Sequence, residues 1–213
     1  MRTILNNKEL FRWTKAKDIK PKTYGYTING SKTVELQNPS GYSIYNFLID
    51  GASHKDIYVN YLHEGLYELN FFLEKGTDIN IRSGQRLNEE KQLHVVSTVF
   101  HKPETSCTQD FRFVVDDKAV SSFKGVIVID AESKKVESYM NNKNLLLSRT
   151  AKAFSKPQLN IENNDVACSH GSSTGALDKE QMFYLQSRGL SKSDAKTLLV
   201  NAFINEVTPN DDE

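Results

Sequence analysis

The sequence predicts a mainly β chain closed by a short C-terminal helical hairpin. Two observations carry this. From about residue 42 to residue 166 the chain breaks into short runs rich in Val, Ile, Tyr and Phe, parted by Gly, Asn, Asp, Lys and Ser. No 3.6-residue period crosses that stretch, and only after residue 176 do capped, helix-period segments begin. A chain of 213 residues is one domain, or one domain with a small appendage. Lys plus Arg number 27 and Asp plus Glu number 27. The net charge is therefore zero, and nothing steers the protein toward nucleic acid or an anionic membrane. Eleven Phe and nine Tyr argue against bulk disorder.

The organisation reads as an N-terminal segment (1–40), a β core (41–175) and a helical hairpin (176–213). Leu5 to Lys17 fits a short helix with Leu10, Phe11 and Trp13 inward. Pro21, Gly25 and Asn29-Gly30 then punctuate the chain like turns. The strand readings are Tyr42–Leu48, Asp56–Leu62, Leu66–Leu73, Thr77–Ile81, Leu93–Phe100, Phe111–Val115, Val126–Ile129 and Gln158–Ile161. Many alternate apolar and polar residues, as in Tyr67-Glu68-Leu69-Asn70-Phe71. Strands without intervening helices argue against a Rossmann-like sheet and leave a sandwich, a barrel or a β-helix open. The run Asn141-Asn-Lys-Asn-Leu-Leu-Leu147 suits a solenoid, where Asn side chains stack and a Leu trio fills the core. An ordinary loop before a buried strand reads the same way. No repeat of fixed period is visible.

In the hairpin, Asp178-Lys-Glu-Gln181 reads as a capping box and Gly189 as the residue that ends the helix. Ser191-Lys-Ser-Asp194 opens a second helix. Its stripe is Ala195, Leu198, Leu199, Ala202 and Phe203. No apolar run approaches the ~20 residues of a membrane span. Met1 to Lys8 is too polar for a secretory leader, so the expected compartment is the cytoplasm. Two cysteines, Cys107 and Cys168, make no disulfide framework, and both are expected as thiols. Cys107 reads as an incidental thiol in the loop that starts at Pro103.

The chemistry concentrates at Asp165-Val-Ala-Cys168-Ser-His170-Gly171. On a strand, residues i and i+2 face the same way, so Cys168 and His170 project together. A thiolate and an imidazole can both ligate a borderline metal, but two ligands form only half of a tetrahedral site. The alternative is a core cysteine beside a satisfied histidine. Gly171-Ser-Ser-Thr-Gly175 lacks the Lys of a phosphate loop. It also lacks a later His for a nucleophile elbow, so it reads as a flexible connector. His54, His63, His94 and His101 are scattered, and there is no paired-carboxylate or nucleotide signature. A β-helix enzyme acting on polysaccharide would need such a carboxylate pair.

Several segments in one order resemble a known family. They are Ser122-Phe-Lys-Gly125, Asn144-Leu-Leu-Leu-Ser148, Lys156-Pro-Gln-Leu159, Asp165-Val-Ala-Cys-Ser-His-Gly171, Leu177 through Leu190, and Ala202-Phe-Ile-Asn-Glu-Val207. The chain resembles the SufB/SufD family of iron–sulfur cluster assembly proteins over about residues 93 to 207. SufB typically has His-Glu where this chain has His170-Gly171, so the resemblance is to the SufD branch, with a SufB-like scaffold as the alternative. It implies a right-handed parallel β-helix with a C-terminal helical domain. It implies a non-catalytic scaffold that pairs with a SufB-like protein and binds a SufC-like ATPase. An adaptor that binds the ATPase and holds no cluster is the other reading. ATP-driven closure of the ATPase pair would open the SufB–SufD interface.

By resemblance, His170 and Cys168 sit at the cluster-assembly interface. His170 would act as a metal ligand shared with the partner chain, or as a proton acceptor. Phe183, Tyr184, Leu185, Arg188 and Gly189 match the ATPase-docking segment. The aromatics fit a hairpin core equally well, and Gly189 is a backbone cap either way. No intrinsic cofactor is implied, only a transient iron–sulfur cluster at the partner interface. Exposed chain-end strands would let a lone subunit pair with a second copy. Members are often longer, with an N-terminal helical domain that residues 1–40 do not resemble. A shortened solenoid is expected to lean on its partners.

Overall fold

The short apolar runs stack on one another instead of folding back. In the computed structural model, which describes residues 20–208, Lys22 lies beside Ser43, Ser43 beside Tyr67, Tyr67 beside Val95 and Val95 beside Phe123, all in parallel. The strands are β1 (Lys22–Ile28), β2 (Lys32–Leu36), β3 (Tyr42–Ile49), β4 (Lys55–Tyr61), β5 (Gly65–Leu73), β6 (Asp78–Leu87) and β7 (Gln92–His101). They continue as β8 (Ser106–Val115), β9 (Val120–Ile129), β10 (Val136–Leu146), β11 (Lys152–Ser155), β12 (Gln158–Ile161) and β13 (Val166–Ala176). Two sheets result. The first runs β1-β3-β5-β7-β9-β11, with β12 also on β9, and the second runs β13-β10-β8-β6-β4-β2. The body is a β-solenoid of about five turns, followed by helices α1 (Lys179–Ser187) and α2 (Lys192–Asn205). The expected helix over Leu5–Lys17 and the tail from Pro209 lie outside the described residues.

The coil steps are unequal, which is why no fixed repeat shows in the sequence. Of the strands read from sequence, each overlaps an observed one, with Leu62 and Thr77 falling one residue outside β4 and β6. Those that escaped are β1, β2, β10, β11 and β13. The first two fall inside residues 1–40 and pair with β3 and β4. Two readings need correction. Gly171–Gly175 is no flexible connector: it lies in β13, hydrogen-bonded along β10 from Val166 to Ala176. Cys107 is no loop residue: it lies in β8 and is fully buried. In a stacked coil the ladder bonds form between backbones, so Ser, Gly and Asn are held extended without β-forming side chains.

The interior changes character along the stack. Near the N-terminus it is an aromatic ladder, with ring centroids 4.7 Å apart for Tyr24–Tyr45 and 4.8 Å for Phe47–Phe71. Toward the C-terminus polar pairs enter it. Ser97 Oγ donates to Gln109 Oε1 at 2.7 Å, and Asn144 Nδ2 donates to Asn142 Oδ1 at 2.9 Å. Asn141–Leu147 thus belongs to the solenoid, but its Leu trio divides. Leu146 packs on the main core, while Leu145 and Leu147 join the cluster under α2. Stacking of Asn from coil to coil occurs elsewhere, between Asn70 Nδ2 and Asn46 Oδ1 at 3.0 Å.

Candidate functional site

β13 is the last strand of its sheet, and no strand pairs with its far edge among the described residues. Its register with β10 sets Cys168 beside Ser138 and His170 beside Met140. Ser138 and Met140 both point into the solenoid and are buried. Cys168 and His170 therefore share the inward-directed row of the terminal coil, as the i, i+2 spacing predicts. Cys168 is half-buried and packs on the core, whereas His170 is exposed. Burial pushes the Cys168 thiol up, and a hydrogen bond from the Ser138 backbone opposes it. Gly171 points the other way, where a Cβ would meet Asn141 Oδ1 at 2.4 Å.

A polar network behind this row was invisible in the sequence. His101 is 3% exposed; its Nδ1 lies 2.8 Å from Thr105 Oγ1 and its Nε2 3.0 Å from Ser138 Oγ. Thr105 Oγ1 donates to the Lys102 carbonyl at 2.7 Å, so it accepts from the imidazole Nδ1–H. That leaves Nε2 to accept from Ser138. Burial lowers the His101 pKa to about 4, so the ring is neutral at pH 7. His101, Ser138 and Cys168 lie far apart in sequence, and only the coil register makes them neighbours. Cys107 occupies the same row as Ser138, and burial pushes its thiol well above the ordinary range. Among the described residues, no group of three or more His, Cys, Asp or Glu gathers that could hold a metal ion.

The hairpin is the second exposed feature. Asp178 Oδ1 accepts from the Glu180 and Gln181 amides at 2.7 and 2.9 Å and starts α1. Gly189, at φ +96°, ends it, with Gly189 N–H on Gln186 O and Leu190 N–H on Leu185 O. No residue of α1 is buried. Phe183 is 74% exposed and Tyr184 56%, and the Arg188 guanidinium lies 5.3 Å from the Tyr184 ring centroid. Leu185 is half-buried. It lines a groove of about 490 Å³ together with Tyr184, Leu198, Leu199, Ala202, Glu180 and Gln181. So the aromatics are not the hairpin's core, and three of the five residues in the stripe expected for α2, Leu198, Leu199 and Ala202, line an open groove.

α2 attaches through a different face. Val200 and Ile204 pack with Val114 and Leu145 on the outer side of the second sheet. Gly84 permits this approach, since a Cβ there would lie 3.1 Å from Ile204 Cγ2 and 3.2 Å from Val207 Cγ2. Arg112 on β8 fastens the helix end. Its side chain is 5% exposed; Nη1 donates to Phe203 O at 3.0 Å and meets Glu206 Oε2 at 2.5 Å, and Nη2 meets Asp110 Oδ2 at 3.0 Å. Lys196–Asp116, at 3.0 Å, adds a surface tie. No helix among the described residues is long and apolar enough to cross a membrane.

Comparison with known proteins identifies the family. The family model for the SufBD core domain of SUF-system FeS cluster assembly matches residues 66–203. The iron–sulfur cluster assembly protein SufD of Escherichia coli is 42% identical over 95 residues, 45% of this chain and 22% of that protein. A SufBD-family protein of Synechocystis is 35% identical over 105 residues, 49% of this chain and 23% of the relative. SufD of Bacillus subtilis is 34% identical over 94 residues, 44% of this chain and 22% of the relative. The matched part thus spans under a quarter of each of these relatives. The core domain covers most of the chain, from the third coil to the end of the hairpin, and on that ground the chain belongs to the SufB/SufD family of iron–sulfur cluster assembly proteins, on its SufD-like side.

Proposed function

We propose that this chain is a non-catalytic scaffold subunit of a SUF assembly complex. It pairs with a SufB-like protein along its terminal coil and carries a SufC-like ATPase on its hairpin. The observation that carries the reading is the pairing of Cys168 and His170 on the inward row of an end strand whose far edge pairs with no strand among the described residues. Such an edge offers a row of backbone groups to another β-solenoid. A thiol and an imidazole supply half a ligand set for a cluster held as cargo, and the partner chain supplies the rest. The exposed Phe183 and Tyr184 and the apolar groove beside Leu185 suit a protein partner. Arg188 lies at the rim of that surface, and Gly189 shapes the turn behind it.

The test is anaerobic co-purification of the tagged chain with the SufB and SufC proteins of its own organism. A complex of all three is expected. His170→Ala should keep the complex and lose cluster formation. Capture of neither partner overturns the proposal. A complex whose cluster output ignores His170→Ala favours the adaptor reading.

A further inference from the structure

The first sheet ends on β1, and no strand pairs with its outer edge among the described residues. Backbone groups alternate sides along a strand of a parallel pair. Ile28 O accepts from the Asp50 N–H at 3.2 Å, so the even-numbered residues of β1 bond toward β3. Thr23, Gly25 and Thr27 therefore turn their N–H and C=O groups away from the sheet, and all three are exposed. The even-numbered side chains point into the solenoid. Tyr24 stacks on Tyr45 with ring centroids 4.7 Å apart, and Tyr26 on Phe47 at 5.6 Å. The aromatic ladder of the interior thus runs out to the edge, where Tyr26 is 39% exposed. Edge strands are ordinarily guarded by a proline, a charge or a bulge. Thr23–Thr27 has no proline and no charge, and it pairs with Ile44–Leu48 residue for residue, without a bulge.

This edge reads the same in both directions, Thr23-Tyr24-Gly25-Tyr26-Thr27. A two-fold axis through Gly25 and normal to the sheet would therefore match it to itself. Antiparallel pairing then sets Thr23 opposite Thr27, Gly25 opposite Gly25 and Tyr24 opposite Tyr26 of the other copy. The Thr and Gly pairs join residues whose backbone groups point outward, so each pair exchanges both N–H···O bonds. Tyr24 and Tyr26 fall at the non-hydrogen-bonded positions, where Cα atoms approach to about 4.5 Å and side chains meet most closely. The axis keeps both interiors on the same side, so the ring stack passes from one solenoid into the next. Lys22 falls opposite Ile28, and no like charges face each other. We infer that β1 is a homodimer edge, on which a second copy of this chain pairs antiparallel about Gly25 and joins two solenoids end to end. β1 and β13 lie at opposite ends of the stack, so the inference is independent of the proposed partners.

Light scattering on the full-length chain alone should give twice the mass of one copy. Gly25→Pro should give the mass of one copy at the same concentration, with the far-UV circular dichroism of the parent. Proline is tolerated on an edge strand whose N–H faces outward, and a Cβ at Gly25 meets nothing within 4 Å, so the single copy keeps its fold. A second variant reads the register. Opposite Gly25 residues in a hydrogen-bonded pair have Cα atoms about 5.5 Å apart, a separation that a disulfide spans. Gly25→Cys, in a Cys168→Ser background under a mild oxidant, should give a cross-linked homodimer that reductant dissolves. A parent that scatters as one copy overturns the inference. So does a dimer that Gly25→Pro leaves intact, or one that Gly25→Cys fails to cross-link.

Discussion

Gly125 explains why Ser122-Phe-Lys-Gly125 has its form. Phe123 points into the core of β9 and is 2% exposed. Two residues on, a Cβ at Gly125 would lie 1.8 Å from Met140 Sδ, 2.8 Å from Phe123 Cε1 and 2.9 Å from Met140 Cε. The thioether of β10 therefore rests on the bare backbone of β9. In an open strand, Gly→Ala would stabilise by about 0.5–1 kcal/mol, because Ala restricts the unfolded chain. Here the added methyl must displace Met140, which is 1% exposed and confined. Overpacking of this kind costs about 1–3 kcal/mol. We expect Gly125→Ala to lose about 1–2 kcal/mol net. For a chain of this length that lowers Tm by about 2–8 °C. Urea unfolding followed by circular dichroism measures it. In a Met140→Ala background only the 2.8 Å approach to Phe123 Cε1 remains, so Gly125→Ala should cost clearly less there, and the double-mutant cycle should show strong coupling. If Gly125→Ala alone is as stable as the parent, the packing argument fails.

Other outcomes follow from the same geometry. Burial holds His94 and His101 neutral with pKa values lowered to about 4 from 6.5. The unfolded chain then binds more protons below pH 6.5, so stability is full above that pH and falls as pH drops toward 4, by about 3 kcal/mol per histidine. Glu68, whose carboxyl burial raises, acts in the opposite sense. His101→Gln should flatten the profile of urea midpoint against pH, and an unaltered profile would contradict the assignment. Lys55 is fully buried and donates to Gly51 O at 2.5 Å and Ser53 O at 2.7 Å. Lys55→Met leaves both carbonyls short of a donor and should cost about 2 kcal/mol in urea unfolding. Arg112→Met should free α2 while the solenoid stays folded. The readout is faster tryptic cleavage at Arg188 and Lys192 with unchanged far-UV dichroism, and an unchanged cleavage rate would count against the clamp.

Where a strand carries Val, Ile, Tyr and Phe, as β5 and β7 do, local chemistry announces it. The caps Asp178 and Ser191 announced the helices in the same way, because a cap is satisfied by its own next turn. The spacing of Cys168 and His170 predicted their common row. By contrast β10 and β13, which carry the candidate site, are not among the strands legible in the sequence: Asn141–Leu147 reads equally as solenoid or loop, and Gly171–Gly175 as a connector. Their stabilising bonds come from neighbouring coils, so a Ser- and Gly-rich run such as Val166–Ala176 has no local signature.

The sequence by itself therefore determined the β body, the two helices, the neutral charge and the common row of Cys168 and His170. Tertiary structure decided the rest. It stacked the coils with unequal steps, which brought His101 to Ser138 across 37 residues. It turned Val200 and Ile204 of α2 to the sheet and left Leu198 and Leu199 in an open groove. It also left β13 as an end strand. Contacts between residues one coil apart depend on where the backbone pairs, and that register is a property of the whole stack, settled by ladder hydrogen bonds and core packing together.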